Sequence, residues 1–125
     1  MTVMGYRFRM NKLREIELEY SFHAKVWKYE GPAGWYFVTM PKVLSKKIRN
    51  NHGPAEEGWG RLKTTAQIGK SKWKTSIWHD TKIGSYVLPI KLSVRKAEGI
   101  KIDARIKIVL SPEQIDAKIL RWLRS

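Results

Sequence analysis

Between Glu19 and Glu30 the chain alternates: Phe22, Ala24 and Val26 fall on one side of an extended backbone, and Ser21, His23 and Lys25 on the other. A period of two predicts a half-buried β-strand. Gly31-Pro-Ala-Gly34 is a turn cluster, and Trp35 to Met40 is aromatic and β-branched, so the two segments are expected to pair as a hairpin with a four-residue loop. The period then changes. From Pro41 to Asn51 the apolar positions Val43, Leu44 and Ile48 recur at helical spacing, with Pro41 at the start and Gly53-Pro54 beyond the end. Alternation returns with Leu62, Thr64, Ala66 and Ile68 against Arg61, Lys63, Thr65 and Gln67. It continues past the Gly69 turn, with Trp73, Thr75 and Ile77 against Lys74, Ser76 and Trp78.

Tyr86 to Ile90 predicts a short strand whose Pro89 marks an edge or a strand end, because proline donates no ladder hydrogen bond. Ser93 to Glu98 predicts a short helix stopped by Gly99. Ile106, Ile108 and Leu110 then face inward, with Arg105 and Lys107 outward. Ser111-Pro-Glu-Gln114 reads as a capping box opening a helix that carries Ile115, Ile119 and Trp122 on one face. Residues 1–19 read as a flexible N-terminal extension, with weak alternation from Tyr6 to Met10 and a charged helix from Asn11 to Glu19. The expected fold is mainly β: a small antiparallel barrel over residues 20–110, with short capping helices and a C-terminal helix over 111–125. Its expected core is Phe22, Ala24, Val26, Phe37, Val38, Leu62, Ile68, Trp73, Ile77, Leu88, Ile106 and Ile108.

Composition narrows the chemistry. The 125 residues contain no cysteine, which excludes disulfides, thiolate catalysis and Cys-based metal sites. Twenty-five Lys and Arg face eleven Asp and Glu, a formal charge of +14. Such a field attracts polyanions. No apolar run reaches the roughly 20 residues of a membrane-spanning helix, and the basic N-terminus lacks a signal-peptide core, so a cytoplasmic protein with no membrane partner is expected.

Catalytic patterns are absent. His23, His52 and His79 fall on separate elements, with no metal-ligand spacing, and no metal or cofactor is expected. Gly58-Trp59-Gly60 lacks the lysine of a phosphate loop, and Ser76 sits mid-strand without a nucleophile elbow. Basic residues beside aromatics are the functional lead. Lys70, Lys72, Lys74 and Trp78 crowd one hairpin, and Arg61, Lys63, Arg105 and Lys107 point outward on neighbouring strands. Cations that track a backbone beside a stacking ring hold single-stranded nucleic acid, so the expected function is a non-enzymatic module for nucleic acid or another polyanion. The alternative is a small-molecule or protein-binding barrel with Trp35, Trp59 and Trp78 at its mouth. An enzyme using His79 or Glu56-Glu57 ranks third.

From Phe22 to Leu110 the chain resembles the bacterial domain-of-unknown-function family 1905. The resemblance rests on Phe22-x-Ala24, Trp35 to Pro41, Trp59-Gly60, Lys72-Trp73-Lys74-Thr75-Ser76-Ile77, Gly84 to Pro89 and Val94-Arg95-Lys96-Ala97-Glu98-Gly99. It implies a double-split or pseudo-barrel similar in outline to AbrB-like regulators and MazE-like antitoxins, and it implies no catalytic residue, cofactor or substrate. Trp73, Thr75, Ser76, Pro89, Arg95 and Gly99 are structural motif positions in this reading. Arg95 is expected to bond strand-end carbonyls or to pair with an acid such as Asp80. Where the family shows Gly-Asp before the last strand, this chain has Asp103-Ala104; Asp tolerates positive φ, so the turn is expected to survive.

Overall fold

The computed structural model describes residues 4–14 and 16–114. Seven strands and two α-helices follow in order: β1 (Gly5–Met10), β2 (Ile16–Lys28), β3 (Tyr36–Thr39), α1 (Lys42–His52), β4 (Arg61–Ile68), β5 (Ser71–Asp80), β6 (Ser85–Pro89), α2 (Leu92–Glu98) and β7 (Arg105–Pro112). The sheet is antiparallel in the order β1-β2-β3-β6-β5-β4-β7, and β7 pairs back onto β2. Six strands therefore close a barrel, and β1 is an extra strand laid beside the first half of β2. The expected barrel is present, and so are the two short helices. Of the expected C-terminal helix, Ser111 and Pro112 instead complete β7, and residues 115–125 lie outside the described residues.

The N-terminal segment departs from its expectation. Gly5 to Met10 pairs residue for residue with Ser21 to Ile16. Asn11 to Arg14 is a turn, in which the Leu13 N–H donates to Asn11 Oδ1 and Arg14 takes φ 60. Of the charged residues that suggested a helix, Lys12 and Arg14 lie in this turn, and Glu17 and Glu19 belong to a strand that has already begun at Ile16. Leu18 and Tyr20 are buried on the inner side, and the alternation that starts there runs on through Phe22. Local helix propensity gave way to a ladder and a buried stripe. The β2–β3 hairpin forms, but its ends pair at Lys28 and Tyr36, so its loop is longer than four residues and includes Trp35.

The barrel interior is filled by side chains, with Tyr20, Phe22, Leu62, Ile77, Tyr86, Leu88, Ile108 and Leu110 fully buried. Two expected core members differ. Phe37 is half-buried on the outer face, because its neighbour Val38 holds the inner position and successive strand residues face opposite ways. Ile106 packs against the core but is only partly buried, since it pairs with Ala24 near the end of the β2–β7 ladder. Pro89 ends β6 opposite Phe37, so its missing N–H falls at a strand end and not on an edge. α1 buries Leu44 and Ile48, and α2 buries Val94. Gly99 closes α2 in the left-handed region at φ 63. Asp103 holds φ 70 and its N–H donates to Val26 O, so the turn survives without glycine. Arg95 makes a contact other than the two expected of it. Its guanidinium lies 3.8 Å over the Tyr36 ring, and Asp80 instead accepts from the Lys82 N–H. Thr75 and Ser76 sit opposite Thr64 and Lys63 across the β4–β5 ladder.

His52 joins α1, β2 and β7. Its Nδ1 donates to the Glu113 carbonyl at 3.0 Å, which leaves Nε2 to accept from Tyr20 Oη at 3.0 Å, while Asn51 Nδ2 donates to the same hydroxyl. Both partners suit a neutral ring. Burial lowers its pKa from 6.5 to about 4. The unfolded chain therefore takes up this proton at a higher pH than the folded one, and stability present above pH 6.5 falls as the pH drops toward 4. The His52 part of the loss is expected to reach about 3 kcal/mol at most, read from urea melts across that range, and a His52→Gln variant is expected to show a distinctly shallower fall. Ile108→Ala is expected to cost about 2–5 kcal/mol in the same melts, and Ile106→Ala distinctly less, because only Ile108 leaves a fully enclosed cavity.

Candidate functional site

Period two puts the outward residues of β2, β3 and β7 on one surface. Across the β2–β7 ladder, Lys25 sits opposite Arg105 and His23 opposite Lys107. One step further along β2 on the same face, Trp27 sits opposite Phe37 of β3. Phe37 is stacked between two indoles, with its centroid 5.0 Å from Trp27 and 6.4 Å from Trp35 at interplanar angles of 28° and 26°. Tyr29 meets Phe37 edge-on at 6.4 Å. Trp27 is held in place by its Nε1–H, which donates to Thr39 Oγ1. Trp35 and Tyr29 keep about half their surface in water, at 50% and 52%. The barrel thus carries an outer aromatic stack that runs directly into the Lys25–Arg105 pair and on toward Lys107. Lys25 also lies 3.6 Å from Asp103, but both groups are well exposed, so that pair is weak and replaceable.

In the other direction the face opens into a groove of about 680 Å³, lined by Arg7, Phe8, Arg9, Glu19, Gln67, Gly69, Lys107 and Val109. Glu19 is buried between two arginines: Arg7 Nε donates to Oε1 at 2.9 Å and Arg9 Nη1 to Oε2 at 3.0 Å. Burial alone would raise its pKa. The hydrogen bonds and charges of Arg7 and Arg9 outweigh that and hold the carboxyl below its ordinary value. One carboxylate thus fixes two guanidinium groups at the groove wall, and with Lys107 the groove keeps a surplus of positive charge.

The expected anion-binding residues divide by location. Arg105 and Lys107 lie on this face. Lys72 is the cross-strand neighbour of Gln67, which lines the groove, and Lys74 is one step along β5 opposite Thr65. Lys70 is in the turn between β4 and β5, where its N–H donates to Glu98. Arg61 and Lys63 instead gather around Glu57, at 3.3 and 3.9 Å, at the far end of β4. Trp78 is half-buried opposite Arg61 at that same end, and on its other side it pairs with Val87, which in turn pairs with Thr39. Trp73 is in the core. Sequence reading missed Trp27, Phe37, Lys25, Arg7 and Arg9. The signal for the first two was in the alternation itself: Val26 and Val38 claim the inside, which turns both rings outward. Arg7 and Arg9 could not be found without the β1–β2 register.

Among the described residues no group of three or more His, Cys, Asp or Glu could hold a metal ion, and no helix is long and apolar enough to cross a membrane. Because Glu19 ionises more readily folded than unfolded, its contribution is complete above its ordinary pKa of 4.5 and is lost as the pH falls below it. A Glu19→Gln variant is expected to melt lower than wild type at pH 7 and to show a smaller drop in melting temperature between pH 5 and pH 3.

Residues 22–110 match the model of a family described as a domain of unknown function (DUF1905), and the chain belongs to that family. No curated protein matches the chain. The matched span includes the aromatic stack and the Lys25–Arg105 and His23–Lys107 pairs, whereas the groove wall built by β1 precedes it.

Proposed function

We propose that this member of the DUF1905 family is a binding module for single-stranded nucleic acid, held on the outer face of β2, β3 and β7. The observation that carries this reading is the Trp27–Phe37–Trp35 stack lying beside the Lys25–Arg105 and His23–Lys107 pairs. Unpaired bases stack on aromatic faces with little regard to sequence, and cations along the same track hold the phosphates. The groove with Arg7, Arg9 and Lys107 extends that track away from the rings. The formal charge of +14 draws a polyanion to the surface, and the face supplies the place where it is held. A duplex hides its base faces, so the aromatic stack favours single strands. The filled interior, with Tyr20, Phe22 and Tyr86 fully buried, weighs against a small molecule held inside the barrel.

The test is a fluorescence-anisotropy titration of a labelled oligothymidine and its duplex at several salt concentrations. The single strand is expected to bind more tightly, with affinity falling as salt rises. Lys25→Gln, Arg105→Gln and Lys107→Gln together are expected to flatten the slope of log K against log salt by about 2, at roughly 0.7 per phosphate contact. Lys70→Gln, Lys72→Gln and Lys74→Gln together are expected to do less. Trp35→Ala is expected to weaken single-strand binding and leave the salt slope unchanged. Equal affinity for duplex and single strand, or no binding at low salt, would overturn the proposal.

A further inference from the structure

We propose that the bend from Glu56 to Gly60, together with Arg49 and His79, is a second and separate site that takes one unpaired nucleobase, with guanine the base its polar groups fit. Trp59 is the observation that points there. Its side chain is 95% exposed, and its backbone takes φ 67 between Gly58 and Gly60. A bulky residue in the left-handed region is strained, and an indole in water gains nothing from burial. Folding therefore has no use for tryptophan at this position, whereas a stacking ligand does.

The indole stands on a fixed base. The Glu57 N–H donates to the Arg61 carbonyl across the bend, and Gly60 lies so close to β5 that an added Cβ would meet His79 Cβ at 3.3 Å. His79 packs edge-on against Tyr86 with ring centroids 5.1 Å apart. Arg49 Nη1 lies 2.9 Å from His79 Nδ1, and Arg49 Nε lies 3.8 Å from Glu56 Oε1. The buried Tyr86 hydroxyl donates to that same carboxylate oxygen. Burial first, and then the charge of Arg49, keep the His79 pKa below its ordinary value, with Glu56 and Asp80 acting weakly the other way. The imidazole is thus neutral at pH 7. The bend that carries the exposed indole thus also carries a carboxylate at Glu56, with the half-exposed Arg49 guanidinium 3.8 Å from it, and packs at Gly60 against a neutral imidazole.

Guanine answers this set. Its O6 and N7 are two acceptors at the spacing of an arginine fork, and its N1–H and N2–H donate to a carboxylate. Adenine offers N6–H where guanine offers O6, and so turns a donor toward Arg49. The flat base supplies the face that stacks on Trp59.

The experiment is calorimetric titration of the full chain with guanosine, adenosine, cytidine and uridine 5′-monophosphates. All four carry the same phosphate, so a difference among them reports the base. The guanine nucleotide is expected to bind about tenfold more tightly than the adenine nucleotide. Trp59→Gly is expected to abolish the tighter binding of the guanine nucleotide, with a melting temperature equal to or above wild type, since glycine accepts φ 67 without strain. Arg49→Lys is expected to remove the preference for guanine and keep residual stacking. The preference for guanine, which sequence-indifferent stacking on the outer face does not supply, is the readout that separates this site from that face. Equal binding of the four nucleotides, no binding, or binding indifferent to Trp59→Gly would each overturn the proposal.

Discussion

Everything in this barrel depends on β2 being paired along both edges. Its thirteen residues carry β7 on one side and, on the other, β1 along the first half and β3 at the end. Tyr20 and Ser21 have partners on both sides at once. A strand held in this way cannot slip by one residue without turning Tyr20, Phe22, Ala24 and Val26 out into water. The register of β7 is fixed by the same condition, since Ile108 and Leu110 must face inward with them. The cross-strand neighbours on the outside are thus a consequence of the core. Once Phe22 meets Ile108 inside, His23 meets Lys107 and Lys25 meets Arg105 outside.

Closure also explains how the chain separates its two kinds of aromatic residue. Tyr20, Phe22, Trp73 and Tyr86 occupy inward positions and are buried. Trp27, Phe37 and Trp35 gather outside the β2–β3 hairpin, where they shield one another by stacking and still present ring faces to water. Aromatic rings packed together outside a filled barrel add less stability than those inside it, because their burial is incomplete. The ion pairs follow a similar division. Glu19 collects Arg7 and Arg9 at the groove, and Glu57 collects Arg61 and Lys63 at the other end of the sheet. Eleven acidic residues cannot neutralise twenty-five basic ones, so where the acids stand decides which cations are left available to an anion.

Much of this was legible in the residues alone. Alternation located most of the barrel strands and most of the core, because a half-buried strand writes its period directly into the chain, and the change to helical spacing located the Pro41 helix. Gly99 and Asp103 announced their turns through backbone preference, and both hold positive φ. The order of buried and exposed positions, and with it the outward direction of Lys25, Trp27, Arg105 and Lys107, was already determined by the sequence. Tertiary structure alone decided which of those residues are neighbours. Arg7 lies opposite Glu19, and Lys25 opposite Arg105, because of pairings between distant segments that no local pattern encodes. The turn and strand that replace the expected helix over 11–19 have the same origin. These nine residues, six of them charged or polar, can satisfy their backbone either way, and only the buried stripe of β2 and the edge it offers to β1 select the extended form.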